Sequence, residues 1–138
     1  MWVDGQGLVS YAGSALLVQV VDKSGLTRAL SGALTEPGLR AGSHDRGRVV
    51  RDLAVVLADG GGCLVDLRAV GDREVLFGAV VSALTAFRVI DRIACTPGLV
   101  DGLRVAHATA RARVWELAGA PDRVTIDLGV TLLTAHSD

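Results

Sequence analysis

The sequence predicts a mainly α-helical domain that gives way to one C-terminal strand. Three observations carry that expectation. Half of the 138 residues are hydrophobic but only 4% are aromatic, so the core has to be assembled from Ala, Val and Leu, which suits closely packed helices. From Ala12 to Ala118 the apolar residues recur at helical spacing. After Gly119 the period changes to two. Val124, Ile126, Leu128 and Val130 alternate there with Thr125, Asp127, Gly129 and Thr131, the pattern of a half-buried strand.

The opening stretch MWVDGQGLVSY reads as a short hairpin or an extended lead-in, turning at Gly5 and Gly7. Ala12 to Lys23 follows as a helix with Leu16, Leu17, Val20 and Val21 as its apolar stripe and Gly25 as its stop. A second helix places Leu26, Leu30 and Leu34 four residues apart, and PGLRAGS after it is a loop. Ser43 or Asp45 can cap a third helix that runs to about Ala58, with Val49, Val50, Leu53, Val56 and Leu57 as its apolar positions. Arg46, Arg48 and Arg51 crowd its N-terminal half, the end where the helix dipole disfavours cations. They form either a solvated face offset by Asp45 and Asp52 or a local phosphate contact. Asp59 to Gly62, DGGG, is a flexible connection: it lacks the preceding strand and the following Gly-Lys-Ser/Thr of a phosphate-binding loop. CLVDLRAV makes one short helix broken at Gly71, and Asp72 can cap another through Leu76.

The stretch FGAVVSALTAFRVIDRIA carries more information. Gly78 supplies a turn, Ser82 a cap, and Leu84, Phe87, Ile90 and Ile93, with Val89, an apolar face. Thr85, Arg88 and Arg92 project elsewhere. A short helix, a tight turn and a second helix bearing Thr and Arg fit a helix-turn-helix, although most such pairs are ordinary helical packing. After Thr96 to Gly98, the longest helix spans Leu99 to Ala118 and buries Leu103, Ala106, Ala110, Val114 and Leu117. Arg104, His107 and Arg111 share one stripe of it, which is either the wet side of a surface helix or a face for phosphate. Gly119 stops this helix, which divides the chain into a helical domain, 1–119, and a linker with its strand, 120–138.

Several functions are excluded by composition and spacing. The net charge of −1 gives no global basic field, so DNA binding has to come from a local patch and is expected to be weak. Lys23 is the only lysine among the 14 basic residues, an arginine bias that matches a GC-rich coding sequence. Cys63 and Cys95 lack Cys-x-x-Cys spacing and are expected as buried free thiols in a reducing cytoplasm. The N-terminus lacks the basic and apolar regions of a signal peptide, and no apolar run is long enough to span a membrane. His44, His107 and His136 have no ligand spacing, so no metal site is expected. No hydrolase or metalloprotease motif occurs, and no small-molecule substrate is implied.

Taken together and in order, five stretches resemble the bacterial DDE-type insertion-sequence transposases, particularly those of actinobacteria. They are GLVSYAGSALL (Gly7 to Leu17), HDRGRVVRDLAVVLADGGGCLVDLRAV (His44 to Val70), LFGAVVSALTAFRVIDRIA, ARARVWELAG and VTIDLGVTLLTAHSD. The resemblance implies a helical N-terminal region followed by an RNase H-like catalytic domain whose sheet begins with the final strand. That strand usually reads Ile-Asp-Leu-Asp-x-Thr in the family, and its second Asp is taken as the first catalytic carboxylate. Asp127 matches the first Asp, and the second falls on Gly129. Cut-and-paste transposition holds two Mg²⁺ ions between three carboxylates. A chain with Asp127 alone is therefore expected to hold no Mg²⁺ and to be no enzyme on its own. The resemblance thus implies a transposase segment truncated before most of its catalytic domain. Its retained role would be binding of transposon ends, through Thr85, Arg88, Arg92, Arg104 and Arg111, or homo-oligomerisation through the uncovered strand. A stand-alone regulator that competes for the same ends, and a pseudogene product without activity, are the alternatives.

Overall fold

The computed structural model describes residues 12–36 and 44–129. The lead-in hairpin, the PGLRAGS loop and the last residues of the strand lie outside them. The described residues form seven helices: α1 (Ala12–Lys23), α2 (Leu26–Ala33), α3 (Arg46–Ala58), α4 (Leu67–Gly71), α5 (Glu74–Phe77), α6 (Ala83–Cys95) and α7 (Leu99–Ala118), with one 3-10 turn, Leu64–Asp66, leading into α4. None of these helices is long and apolar enough to cross a membrane.

Local chemistry sets the helix ends. Gly25 takes φ 79°, which turns α1 directly into α2 where a side chain would be strained. The Asp45 carboxylate accepts from the backbone N–H groups of Gly47 and Arg48 and caps α3. Ser82 caps α6 by accepting from the N–H of Thr85. The cap of α5 is Arg73, one residue later than the expected Asp72. Within the DGGG connection only Gly61 makes a close approach: a Cβ there would lie 2.5 Å from Val56 Cγ1, whereas Gly60 and Gly62 stand in open space.

The centre of the fold is α2. It packs against α1, α3 and α7 and buries Leu30. Leu34, just beyond its end, joins Val49, Val55 and Val56 of α3, Leu67 and Val70 of α4, Phe77 of α5, and Ala86, Val89 and Ile93 of α6 in one core. Two glycines allow the backbones to approach. A Cβ on Gly47 would lie 2.2 Å from the backbone nitrogen of Ser31, and one on Gly102 would lie 2.9 Å from the carbonyl oxygen of Ala33. Gly102 faces the end of α2 and Arg113 faces Gly25 at its start, so α7 runs antiparallel along α2.

Two helices, α1 and α6, turn inward faces that differ from the expected ones, and α7 buries only the first part of its expected face. In α1, Ser14 and Val18 are buried while Leu16, Leu17 and Val20 are exposed, and the Ser14 hydroxyl donates to Asp59 at the end of α3 (2.7 Å). In α6, Ala86, Val89 and Ile93 face the core and Leu84, Phe87 and Ile90 face outward. In α7, Leu99, Ala106 and Ala110 are buried, but Val114 and Leu117 are exposed. The cause is length: at ~1.5 Å per residue α7 is about 30 Å long and α2 about 12 Å, so the last turns of α7 run past their support. Residues 123–129 have no strand partner among the described residues, and Val124, Ile126 and Leu128 stand in solvent.

The close approach at Gly47 generates a prediction. Ala is the better helix former, worth about 1 kcal/mol over Gly. Gly47→Ala should nevertheless destabilise the chain by about 1–3 kcal/mol, because the Ser31 backbone would have to move. Gly32→Ala, where a Cβ meets nothing within 4 Å, should stabilise it by up to about 1 kcal/mol. Urea unfolding midpoints measured side by side check the opposite signs.

Candidate nucleic-acid interface

Arginine positions decide which surface could meet an anion, and many of the arginines are committed elsewhere. Glu36 lies between two of them. Arg46 forms an ion pair with Glu36 and donates to the Leu34 carbonyl (3.1 Å). Arg92 donates to both Glu36 oxygens, from Nε at 3.2 Å and from Nη2 at 2.9 Å. The Arg92 hydrogen bond, followed by that of Arg46, holds the Glu36 carboxyl below the ordinary carboxylate range against the opposing effect of burial. Glu36 in turn raises the pKa of Arg92. The sequence-predicted DNA contact Arg92 is thus joined to residues 56 positions away.

On α3 the arrangement departs from a solvated face. Arg51 and Asp52 are buried, with side chains only 5% and 4% exposed. Arg51 donates to Asp52 Oδ1 from Nε at 2.9 Å and from Nη2 at 2.6 Å, and its Nη1 lies 3.7 Å from Asp22. Burial pushes the Asp52 carboxyl above its ordinary value, and the Arg51 hydrogen bonds act against that. Arg46 and Arg51 are therefore structural, and Arg48 alone of the three is exposed.

The remaining sequence-predicted residues stand as follows. Thr85 is half-buried in the first turn of α6, with its hydroxyl 3.1 Å from that of Ser82. Arg88 is exposed one turn later and has no hydrogen-bond or ion-pair partner among the described residues. At 100° per residue it lies about 40° from Leu84, which is 59% exposed, with Phe87, 56% exposed, on the adjoining side. Before them lie the four-residue α5 and the Gly78–Ser82 connection. On α7, Arg104 pairs with Asp101 at 2.8 Å, both well exposed, and Arg111 lies over the Trp115 ring at 5.6 Å. His107 is exposed between them. Asp127 and Gly129 are exposed, and among the described residues no three His, Cys, Asp or Glu are grouped to hold a metal ion.

Two features escaped the sequence reading. Cys63 and Cys95 are exposed rather than buried. Asp66 explains the first: it accepts from the backbone N–H groups of Cys63 (2.9 Å) and Gly62 (2.8 Å) and from the Cys63 thiol (3.3 Å), which ties the thiol to a surface turn. Those bonds, the Cys63 backbone first, hold the Asp66 carboxyl below its usual value. The second feature is an open cleft at the α1–α2 corner, with Lys23, Arg28 and Arg113 on its walls. Its cations come from three helices, so no sequence spacing marks it.

The buried pair generates a prediction that the area around it cannot mimic. Arg51→Met should cost about 3–5 kcal/mol, because it leaves the Asp52 charge buried and uncompensated, and Asp52→Leu should cost less, because Arg51 keeps Asp22 at 3.7 Å. The double substitution should cost far less than the sum, and a double-mutant cycle from urea unfolding measures the coupling. No protein-family model matches the chain, no curated protein matches it, and no solved structure matches it.

Proposed function

We propose that the helical body is a DNA-binding segment of the insertion-sequence transposase type, which engages transposon ends and does not itself cut or join strands. The observation that carries this reading is Arg88: an exposed guanidinium, free of partners among the described residues, on the outward face of a capped helix. In this reading α5, the 78–82 connection and α6 act as a helix-turn-helix, with Arg88 and Thr85 facing DNA. Arg111 adds a phosphate contact from α7, Arg104 adds one by exchanging its exposed Asp101 pair for phosphate, and Arg92 positions α6 through Glu36 instead of touching DNA. Exposed Val124, Ile126 and Leu128 offer a second copy of the chain an apolar edge. Cleavage would need three converging carboxylates to place two metal ions. Asp127 supplies one and Gly129 none, so the reading is of a chain without catalysis of its own, acting in the cytoplasm. A regulator that competes with an intact transposase would use the same surface.

Binding of a fluorescent transposon-end duplex, followed by anisotropy across salt concentrations, tests the reading. The wild type should weaken steeply with salt, since each phosphate contact adds about 0.9 to the slope of log K against log[salt]. Arg88→Ala with Arg111→Ala should flatten the slope by about two contacts' worth. Neither the wild type nor Gly129→Asp should nick the duplex with Mg²⁺ or Mn²⁺. Tight binding that ignores salt, or nicking lost on Asp127→Ala, would contradict the proposal.

A further inference from the structure

Lys23 at the end of α1, Arg28 in the first turn of α2 and Arg113 on α7 line one open cleft. Arg113 reaches across to the corner: its Cδ lies 3.3 Å from where a Cβ on Gly25 would sit. All three side chains are exposed, and none has a hydrogen-bond or ion-pair partner among the described residues. The one carboxylate in the lining, Asp22, is already engaged, accepting from the Thr27 hydroxyl at 2.5 Å and lying 3.7 Å from Arg51. In the same chain Arg46, Arg51, Arg92 and Arg104 each have a carboxylate. Three cations line the cleft against the single shared carboxylate of Asp22, so the cleft carries net positive charge and attracts an anion.

We propose that this cleft holds the phosphodiester backbone of duplex DNA. The shared chemistry is a phosphate group, and the walls favour a backbone over a free nucleotide. Besides the cations and Asp22 they consist of Ser24, Gly25, Ala29, Thr109 and Ala110. There is no aromatic face to stack a base and no enclosed apolar pocket of the kind that buries a small ligand. The surface is separate from the one already described. Arg113 follows Arg111 by two residues, about 200° around α7, so the cleft and the Arg104–Arg111 stripe lie on different sides of the helix. The inference rests on the chain's binding DNA and adds where a backbone is held.

The test compares three full-length proteins in the same duplex titration: the wild type, Lys23→Ala with Arg28→Ala and Arg113→Ala, and a charge-matched control with Arg48, Arg68 and Arg123 changed to Ala. The cleft variant should lower the salt slope by about two to three and weaken low-salt binding at least tenfold, while the control changes both much less. An equal loss in the control would reduce the effect to net charge and overturn the cleft. Wild-type binding with an unchanged cleft variant would overturn the cleft and leave the proposed function standing. No duplex binding by the wild type would overturn both. Displacement of the duplex by millimolar inorganic phosphate at constant ionic strength would mark a free-anion site and count against the backbone. Equal thermal midpoints show that the Ala side chains leave the fold intact, and Gln at the same three positions serves if they do not.

Discussion

The Glu36 carboxylate holds the outer helices to the central one. It sits just beyond α2 and is gripped by Arg46 at the first turn of α3 and by Arg92 on α6. The geometry at Arg92 is two-pronged, which restrains rotation as well as distance. Once Arg92 points to Glu36, Ala86, Val89 and Ile93 face the core, and Arg88 is left in solvent. The ion-pair cluster accompanies the core packing of α6 and engages Arg92, which leaves Arg88 as the arginine of this helix available to a partner. The backbone approaches at Gly47 and Gly102 then bring α3 and α7 close enough to α2 to bury its leucines.

The extent of the helices was legible because helix ends are set by local chemistry. Asp45, Ser82, Gly25 and Gly119 act on backbone groups within a turn of themselves, so α3 and α7 span the residues their caps and stops indicate. Rotation was not legible. α1 and α6 carry large apolar residues on more than one face, and the face that each buries meets residues remote in sequence, with Ser14 bonded to Asp59 and Arg92 to Glu36. The buried Arg51–Asp52 pair was invisible for a different reason. Adjacent charged residues on a helix ordinarily face water, and nothing in their spacing announces that α1 covers them with Asp22 alongside.

For the candidate interface the same distinction holds. Arg88, Arg104 and Arg111 are surface cations, as their helical positions imply. Arg92 has the same spacing logic but a structural partner, and the Lys23–Arg28–Arg113 cleft has no spacing at all. With a net charge of −1, function through anions depends on which few cations lack internal carboxylates. That property belongs to the folded arrangement, not to composition. The alternation at 124–129 shows the converse: a pattern fit for a sheet remains solvent-exposed where no described strand lies beside it.

The central claim is that Glu36 is a charged clamp in the folded chain. Its pKa is lowered on folding, so as pH falls the unfolded chain takes up the proton first, and stability from the clamp is full above the ordinary carboxylate value of 4.5 and is lost below it. The raised Asp52 carboxyl contributes with the opposite sign, but equally in wild type and in Glu36→Gln, so it cancels in their difference. The decisive measurement is the unfolding free energy of both proteins from pH 7 to pH 3. The wild type should be the more stable at pH 7, and the gap should close as pH falls below about 4.5. Two curves that stay parallel over the whole range would contradict it.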